Sequence, residues 1–172
     1  MALTLRARFK RLLEFTFWTF GKRPEIQDSR VSGRYGEWLG RKFLKSKGFS
    51  IRSTNWRNPK DRRLEIDVVC IKAGILVFVE IRARSELALV NGFHSINPRK
   101  KKSLLRAFNS YLSEMKPFPE HYRFDIVEID LPKSRDSEPR IFHHENVAIF
   151  HSPRSPEKRL YSIHLFFGQS LQ

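Results

Sequence analysis

Cysteine is nearly absent from the sequence: Cys70 stands alone among 172 residues. An internal disulfide and a metal site made of several thiolates are therefore excluded, and we expect a cytoplasmic protein. Glycine and proline are few, at 8 and 9 residues, which excludes collagen-like and low-complexity chains. No uncharged apolar run reaches the roughly 18 residues of a spanning helix. The length then predicts one globular domain with short extensions.

Positive charge is plentiful but unevenly placed. The net charge is +15, and residues 33 to 63 alone contain ten Lys or Arg against two Asp or Glu. Residues 64 to 84 and 116 to 172 are each balanced. Basic blocks thus flank a neutral centre that contains Glu65, Asp67 and Glu80. This pattern predicts a nucleic-acid partner, DNA in the first instance, and the alternative is a merely solvated basic surface.

The first 20 residues alternate basic and apolar side chains at roughly helical spacing. They predict a basic amphipathic helix with three alternative roles: docking on the domain, lying on a membrane surface, or binding a partner. A linker to residue 32 follows. We therefore divide the chain into an N-terminal extension (1 to 32), a domain (33 to 150) and a tail (151 to 172).

Periodicity along the domain predicts a mixed α/β fold in the order α-β-β-β-α-β, with a small central sheet flanked by helices. Ser32 is the expected cap of the first domain helix, and Asn97-Pro98 opens the second. The predicted helices cover residues 33 to 47 and 97 to 115. The predicted strands cover residues 49 to 55, 64 to 71, 75 to 83 and 123 to 130, and 146 to 150 is a further candidate.

Two acidic residues on neighbouring strands form the most informative group. If residues 73 and 74 make a two-residue hairpin turn, Asp67 lies opposite Glu80, Glu65 lies opposite Arg82, and all four project from one face. Opposed Cβ atoms are only about 5 Å apart, so two carboxylates there repel each other unless a cation neutralises them. Mg²⁺, which binds carboxylates together with phosphate oxygens, would do so.

Other interpretations of these acids remain open. Asp67 and Glu80 can instead be exposed and paired with nearby arginines. Glu37, on the preceding helix, is a candidate third metal ligand or a salt-bridge partner.

Several basic and aromatic residues are candidates for contacts with nucleic acid. A cluster at the start of the long helix favours phosphate contact, although a solvated face is the alternative. Trp56 and Arg57, expected in the loop before the acidic strand, can grip unpaired nucleotides, or Trp56 can be buried. Cys70 is expected in the core, and the six histidines receive no role. The helix cluster comprises Arg99, Lys100, Lys101, Lys102 and Arg106.

Five short motifs in this order resemble the YraN family of uncharacterised bacterial proteins. The resemblance runs from about residue 33 to residue 150, and the order of the motifs is more specific than any one of them. The motifs are Gly36-Glu37, Leu64-Glu65-Ile66-Asp67, Val77-Phe78-Val79-Glu80-Ile81-Arg82, Gly92 with Lys100, and Arg123-Phe124-Asp125-Ile126-Val127.

The resemblance implies a restriction-endonuclease-like fold of the PD-(D/E)xK superfamily, related to Holliday-junction resolvases. It implies that Asp67 and Glu80 bind Mg²⁺, that Glu37 assists, and that the residue two after Glu80 assists the attacking water. That residue is usually lysine and here is Arg82, which stays protonated and cannot act as a base. Leu64 also departs from the family, which usually has glycine there.

The sequence therefore predicts a nucleic-acid-binding protein, with Mg²⁺-dependent cleavage of branched or flapped DNA as the activity. The catalytic residues would be Asp67, Glu80 and Arg82. One alternative is a module that binds nucleic acid without cutting it, because Arg82 replaces the lysine. Another is a membrane-peripheral adaptor that uses residues 1 to 20. Homodimerisation is expected only by analogy with resolvases.

Overall fold

The computed structural model describes residues 5–24, 29–85, 97–134 and 137–149, and side chains of the first helix only from residue 12. Three helices and five strands occupy these ranges. The helices are α1 (Leu5–Thr19), α2 (Ser29–Ser46) and α3 (Pro98–Ser113), and the strands are β1 (Ser50–Arg57), β2 (Glu65–Lys72), β3 (Ile75–Ser85), β4 (Tyr122–Leu131) and β5 (Arg140–His144).

The strands form one sheet in the order β1-β2-β3-β4-β5. All neighbours are antiparallel except β3 and β4, which are parallel because α3 carries the chain back between them. Helices cover both faces, so the predicted mixed α/β class is confirmed. None of the helices in these ranges is both long and apolar enough to cross a membrane.

Each face of the sheet has its own apolar core. On one face α3 packs through Phe108, whose ring stacks on Phe78 with centroids 4.4 Å apart. On the other face α2 packs through Tyr35 and Leu44 onto odd-numbered residues of β3 and β4. Cys70 is fully buried there, as predicted. The two cores leave the acidic ends of β2 and β3 between the helices.

Several predicted boundaries need correction. α2 begins at Ser29, so Ser32 lies inside its first turn and does not cap it. Trp56 and Arg57 belong to the end of β1 and not to a loop. The last strand in the described ranges is β5; residues 146 to 149 are not in a strand, and residue 150 lies outside those ranges. Gly92 and the tail from residue 151 are also outside them.

A buried acid explains why β5 sits where the sequence did not predict it. Asp125 on β4 is fully buried and its Oδ2 receives a hydrogen bond from Arg123 at 3.0 Å and lies 3.0 Å from His143 Nε2 on β5. Its Oδ1 accepts the Asn146 N–H at 2.9 Å. A buried carboxylate requires hydrogen-bonding partners, and β5 with the residues after it supplies two of the three through His143 and Asn146.

The extension docks on the domain through one side of α1. Trp18 is buried with its ring edge-on to Tyr35 and Trp38 of α2, at centroid distances of 5.3 and 6.1 Å. Glu14 accepts two hydrogen bonds from Arg34, both 3.0 Å. Of the three roles predicted for the first helix, docking on the domain is therefore correct for the side that carries Glu14 and Trp18.

Close approach of α2 to β3 depends on two glycines. A Cβ added at Gly36 would overlap the Ala83 side chain, and one at Gly40 would lie 2.8 Å from Ile81 Cδ1. The sheet backbone therefore lies almost against the helix backbone. This contact places Glu37, next to Gly36, beside the acidic end of β3.

We predict that Gly36→Ala lowers the free energy of unfolding by about 1–3 kcal/mol, because overpacking outweighs the helix propensity of alanine. Gly33→Ala is the matched control on the same helix. Nothing lies within 4 Å of the added methyl group there, so stability should rise by up to about 1 kcal/mol. Urea unfolding measures both, and equal effects would contradict the close-contact explanation.

Candidate functional site

The strands β2 and β3 part at the predicted acid pair. Their ladder has the predicted register, but its last pair is Val68 with Val79. Asp67 and Glu80 are one position beyond it. The Asp67 Oδ2 instead accepts the Ile81 N–H at 2.9 Å, so a carboxylate takes the place of a ladder carbonyl.

The face alternation of β2 also breaks at Asp67. Ile66 packs in the core under α3, whereas Val68 packs in the core under α2. Neighbours two apart in a regular strand share a face, so the strand must turn over between them. Asp67 is the residue at that turn, and its side chain is directed at the edge of β3.

This break corrects part of the sequence prediction. Glu65 does not pair with Arg82. It pairs with Arg57 of β1 in the ladder, and its carboxylate forms an ion pair with that guanidinium at 2.8 Å. The sequence could not show that β2 leaves β3 at Asp67, since periodicity alone assumes an uninterrupted ladder.

Glu80 is 7% exposed and lies on the α3 side of the sheet. Its Oε1 forms an ion pair with the Lys100 Nζ at 2.9 Å. Lys100 is in the first turn of α3, where its backbone N–H donates to the Asn97 side chain at 2.8 Å. The N-cap and Pro98 therefore fix the position of the helical turn that carries the Lys100 ammonium group.

The electrostatics of the pair act mainly on Asp67. Burial, followed by the nearby Glu80 carboxylate, raises the pKa of Asp67 from 3.8 to about 7. The Ile81 N–H and the Lys100 ammonium oppose this increase, and Glu37 adds to it. Near neutral pH the carboxyl is thus only partly ionised, and a cation would favour its charged form.

Most of the charged side chains just described line an open cleft of about 400 Å³. Asp67 and Glu80 both line it, so the two acids share one opening as predicted, although not as a ladder pair. The cations Arg82, Arg84 and Lys100 form much of the remaining wall. The other lining residues are Gly33, Glu37, Glu65, Ile81 and Ala83.

Glu37 reaches the same cleft from α2. Its Oε2 accepts hydrogen bonds from Asn55 at 3.1 Å and from Arg41 at 3.4 Å. Both donors hold the carboxylate at the mouth of the cleft. Its role as a third metal ligand remains a prediction.

The remaining predicted contact residues lie on α3 and at the end of β1. Arg99 and Lys102 are exposed on the first turns of α3, and Lys101 is partly exposed there. Arg57 is bound to Glu65. Trp56 is partly buried, edge-on to Tyr111 of α3 with centroids 5.4 Å apart, so it packs between sheet and helix.

The sequence of this chain matches a known protein family. The model of the uncharacterised protein family UPF0102 matches residues 36–129, more than half of the chain. The chain belongs to UPF0102. This is the YraN family that the motifs resemble. Every residue that lines the cleft, apart from Gly33, lies inside the matched segment.

Bacterial UPF0102 proteins are similar over most of their length. One from Dehalococcoides mccartyi is 37% identical over 114 residues, which is 65% of this chain and 88% of the relative. One from Chlorobium phaeobacteroides is 35% identical over 118 residues, 66% and 90% respectively. One from Chlorobium limicola is 33% identical over 102 residues, 59% and 77%.

The carboxylates of the cleft could supply some, but not all, of the oxygen ligands that a hard cation such as Mg²⁺ requires. Within the described ranges, no three His, Cys, Asp or Glu side chains converge closely enough to hold a metal. Mg²⁺, however, commonly takes one or two carboxylates and completes its shell with water and phosphate oxygens. The Asp67 Oδ1 and the Glu80 carboxylate fit that smaller requirement, and the polar, open cleft has room for the rest.

We predict that Asp67→Asn stabilises the protein at high pH. A raised pKa means that ionising Asp67 costs stability as the pH climbs from about 4 to about 7. Asparagine can still accept the Ile81 N–H but carries no charge. The variant should exceed the wild type by on the order of 1–3 kcal/mol near pH 8 and match it near pH 4.

Urea unfolding at both pH values measures this difference. Glu120→Gln, at the opposite end of the sheet, is the control and should show no comparable pH dependence. A difference between Asp67→Asn and wild type that is the same at both pH values would contradict the assignment.

Proposed function

We propose that this UPF0102 protein binds nucleic acid along the cleft and cleaves its phosphodiester backbone with a divalent metal ion. The observation that supports the proposal is the convergence of Asp67 and Glu80 in one opening with three cationic side chains. Acids alone would repel a phosphate, and cations alone would bind it without activating water. The combination suits phosphoryl transfer.

Asp67 and Glu80 would hold the metal ion. When bound, Mg²⁺ would polarise the phosphate and lower the pKa of a bound water. Asp67 is suited to this role because its Oδ2 accepts the Ile81 N–H, so that Oδ1 would be the atom that binds the ion. Glu37 would support the site from α2 through water or by direct binding.

Lys100 would assist the attacking water, which is the role of the strand lysine elsewhere in the superfamily. Arg82 occupies that strand position and, as a permanent cation, is suited to contact the scissile phosphate. The amine comes instead from α3, where Lys100 already contacts Glu80 at 2.9 Å. This pairing orients the carboxylate and adds a positive charge near the position of the attacking water.

The flank of α3 would bind the phosphates next to the scissile one. Arg99 and Lys102 are exposed there, and Lys101 is partly so. Binding through such contacts releases counterions and weakens steeply as salt increases. Branched or flapped DNA is the proposed substrate, because the cleft is open enough for a displaced strand.

A second candidate function has its own support. Arg82 stands where the superfamily has lysine, and Glu37 is engaged by Asn55 and Arg41. Both features suit a module that grips nucleic acid without cutting it. Metal binding separates the candidates, since only the nuclease requires it.

We predict that Arg82→Lys creates or raises cleavage of junctions, flaps or single strands in the presence of Mn²⁺. The change places a second amine beside the acid pair, in the position from which it can assist the attacking water. Lys100→Gln should lower cleavage by at least about tenfold, and Arg82→Lys in that background should restore part of it. A gel assay with labelled substrates measures all four proteins.

Calorimetry with Mn²⁺ provides the control. Asp67→Asn and Glu80→Gln should each abolish binding, whereas Glu120→Gln should leave it intact. If pure Arg82→Lys protein binds Mn²⁺ and still cuts none of the substrates, the catalytic proposal is wrong. If Mn²⁺ does not bind but DNA binds in a salt-sensitive manner, the module is the correct alternative.

A further inference from the structure

Exposed apolar side chains concentrate at α1. Of the six large apolar side chains that are exposed in the described part of the chain, four lie in this helix or directly after it. Leu12 is 62%, Phe17 49% and Phe20 80% exposed, and Leu13 is the fourth. Apolar patches of this kind mark interaction surfaces when they are contiguous.

These side chains form the outward face of α1, defined as Leu12, Leu13, Phe17 and Phe20. At about 100° per residue, the first three fall within an arc of about 140°. Trp18 and Glu14 project from the opposite side and are bound to α2. The domain therefore holds α1 in place by one side and leaves the other apolar side without a partner among the described residues.

The part of the chain that contains α1 is rich in basic residues. Residues 1 to 23 contain six Lys or Arg, and their one acidic residue, Glu14, is neutralised by Arg34. Lys22 is exposed with its Nζ 5.4 Å from the centroid of the Phe17 ring. Apolar side chains beside an exposed ammonium group suit a surface that has an apolar interior and anionic groups at its boundary.

We propose that the outward face of α1 docks on an anionic lipid membrane. Leu12, Phe17 and Phe20 would enter the region between headgroups and acyl chains, and Lys22 would contact lipid phosphates. The helix would lie along the surface and would not span the bilayer. This inference does not depend on the proposed nuclease activity, and α1 precedes the segment that the UPF0102 model matches.

Charge distinguishes the membrane from other occupants. A second copy seated on this face would bring two strongly basic segments together, which costs free energy in the absence of counter-charges. Nucleic acid offers phosphates to the cations, but leucine side chains gain nothing from a phosphate backbone. An anionic lipid surface satisfies both the charges and the apolar side chains.

Flotation of the full chain with vesicles tests the proposal. The protein should float with vesicles that contain phosphatidylglycerol, and much less with phosphatidylcholine alone or at high salt. Phe17→Ser combined with Phe20→Ser should weaken partitioning by at least about tenfold. Both side chains are exposed, so the thermal unfolding midpoint should not change.

Phe118→Ser combined with Phe142→Ser is the matched control, since both rings are exposed far from α1 in the sequence. It should leave flotation unchanged. Equal loss in the two double variants, or flotation that does not depend on phosphatidylglycerol, would overturn the proposal. So would a dimer in light scattering that dissociates only when Phe17 and Phe20 are replaced, because the face would then belong to a second copy.

Discussion

The candidate site depends on a partly buried carboxyl group that lies near a second carboxyl group. Asp67 occupies the point where β2 leaves β3, and the Ile81 N–H is its backbone partner. Its pKa of about 7 follows from burial first and from Glu80 second. Ionising such a group destabilises the folded chain at neutral pH, and acids with a shifted pKa are common in functional sites.

The helices on the two faces of the sheet bring further charged side chains to that point. On one side of the sheet, glycine lets α2 approach β3 so closely that Glu37 reaches the mouth of the cleft. On the other side, the Asn97 cap fixes the first turn of α3, and Lys100 there neutralises Glu80. α2 and α3 therefore each contribute a charged side chain to the cleft.

The register of the β2–β3 hairpin could be predicted because Ala73-Gly74 is a strong turn signal and the residues next to it on both strands are mostly apolar. The turnover at Asp67 could not, since it depends on how β2 packs between two cores. Lys100 was identified as basic but not as the partner of Glu80, because a cap signal shows where a helix begins and not where it lies. β5 was missed because Asp125, a distant acid, determines its place.

Carboxyl NMR of Asp67 across a pH titration tests the central claim most directly. In the wild type we expect a midpoint of about 7. In Glu80→Gln we expect a lower midpoint that still exceeds 3.8, since burial remains when the second charge is removed. A midpoint near 4 in both proteins would show that Asp67 is well solvated, and the account of a paired acid site would be wrong.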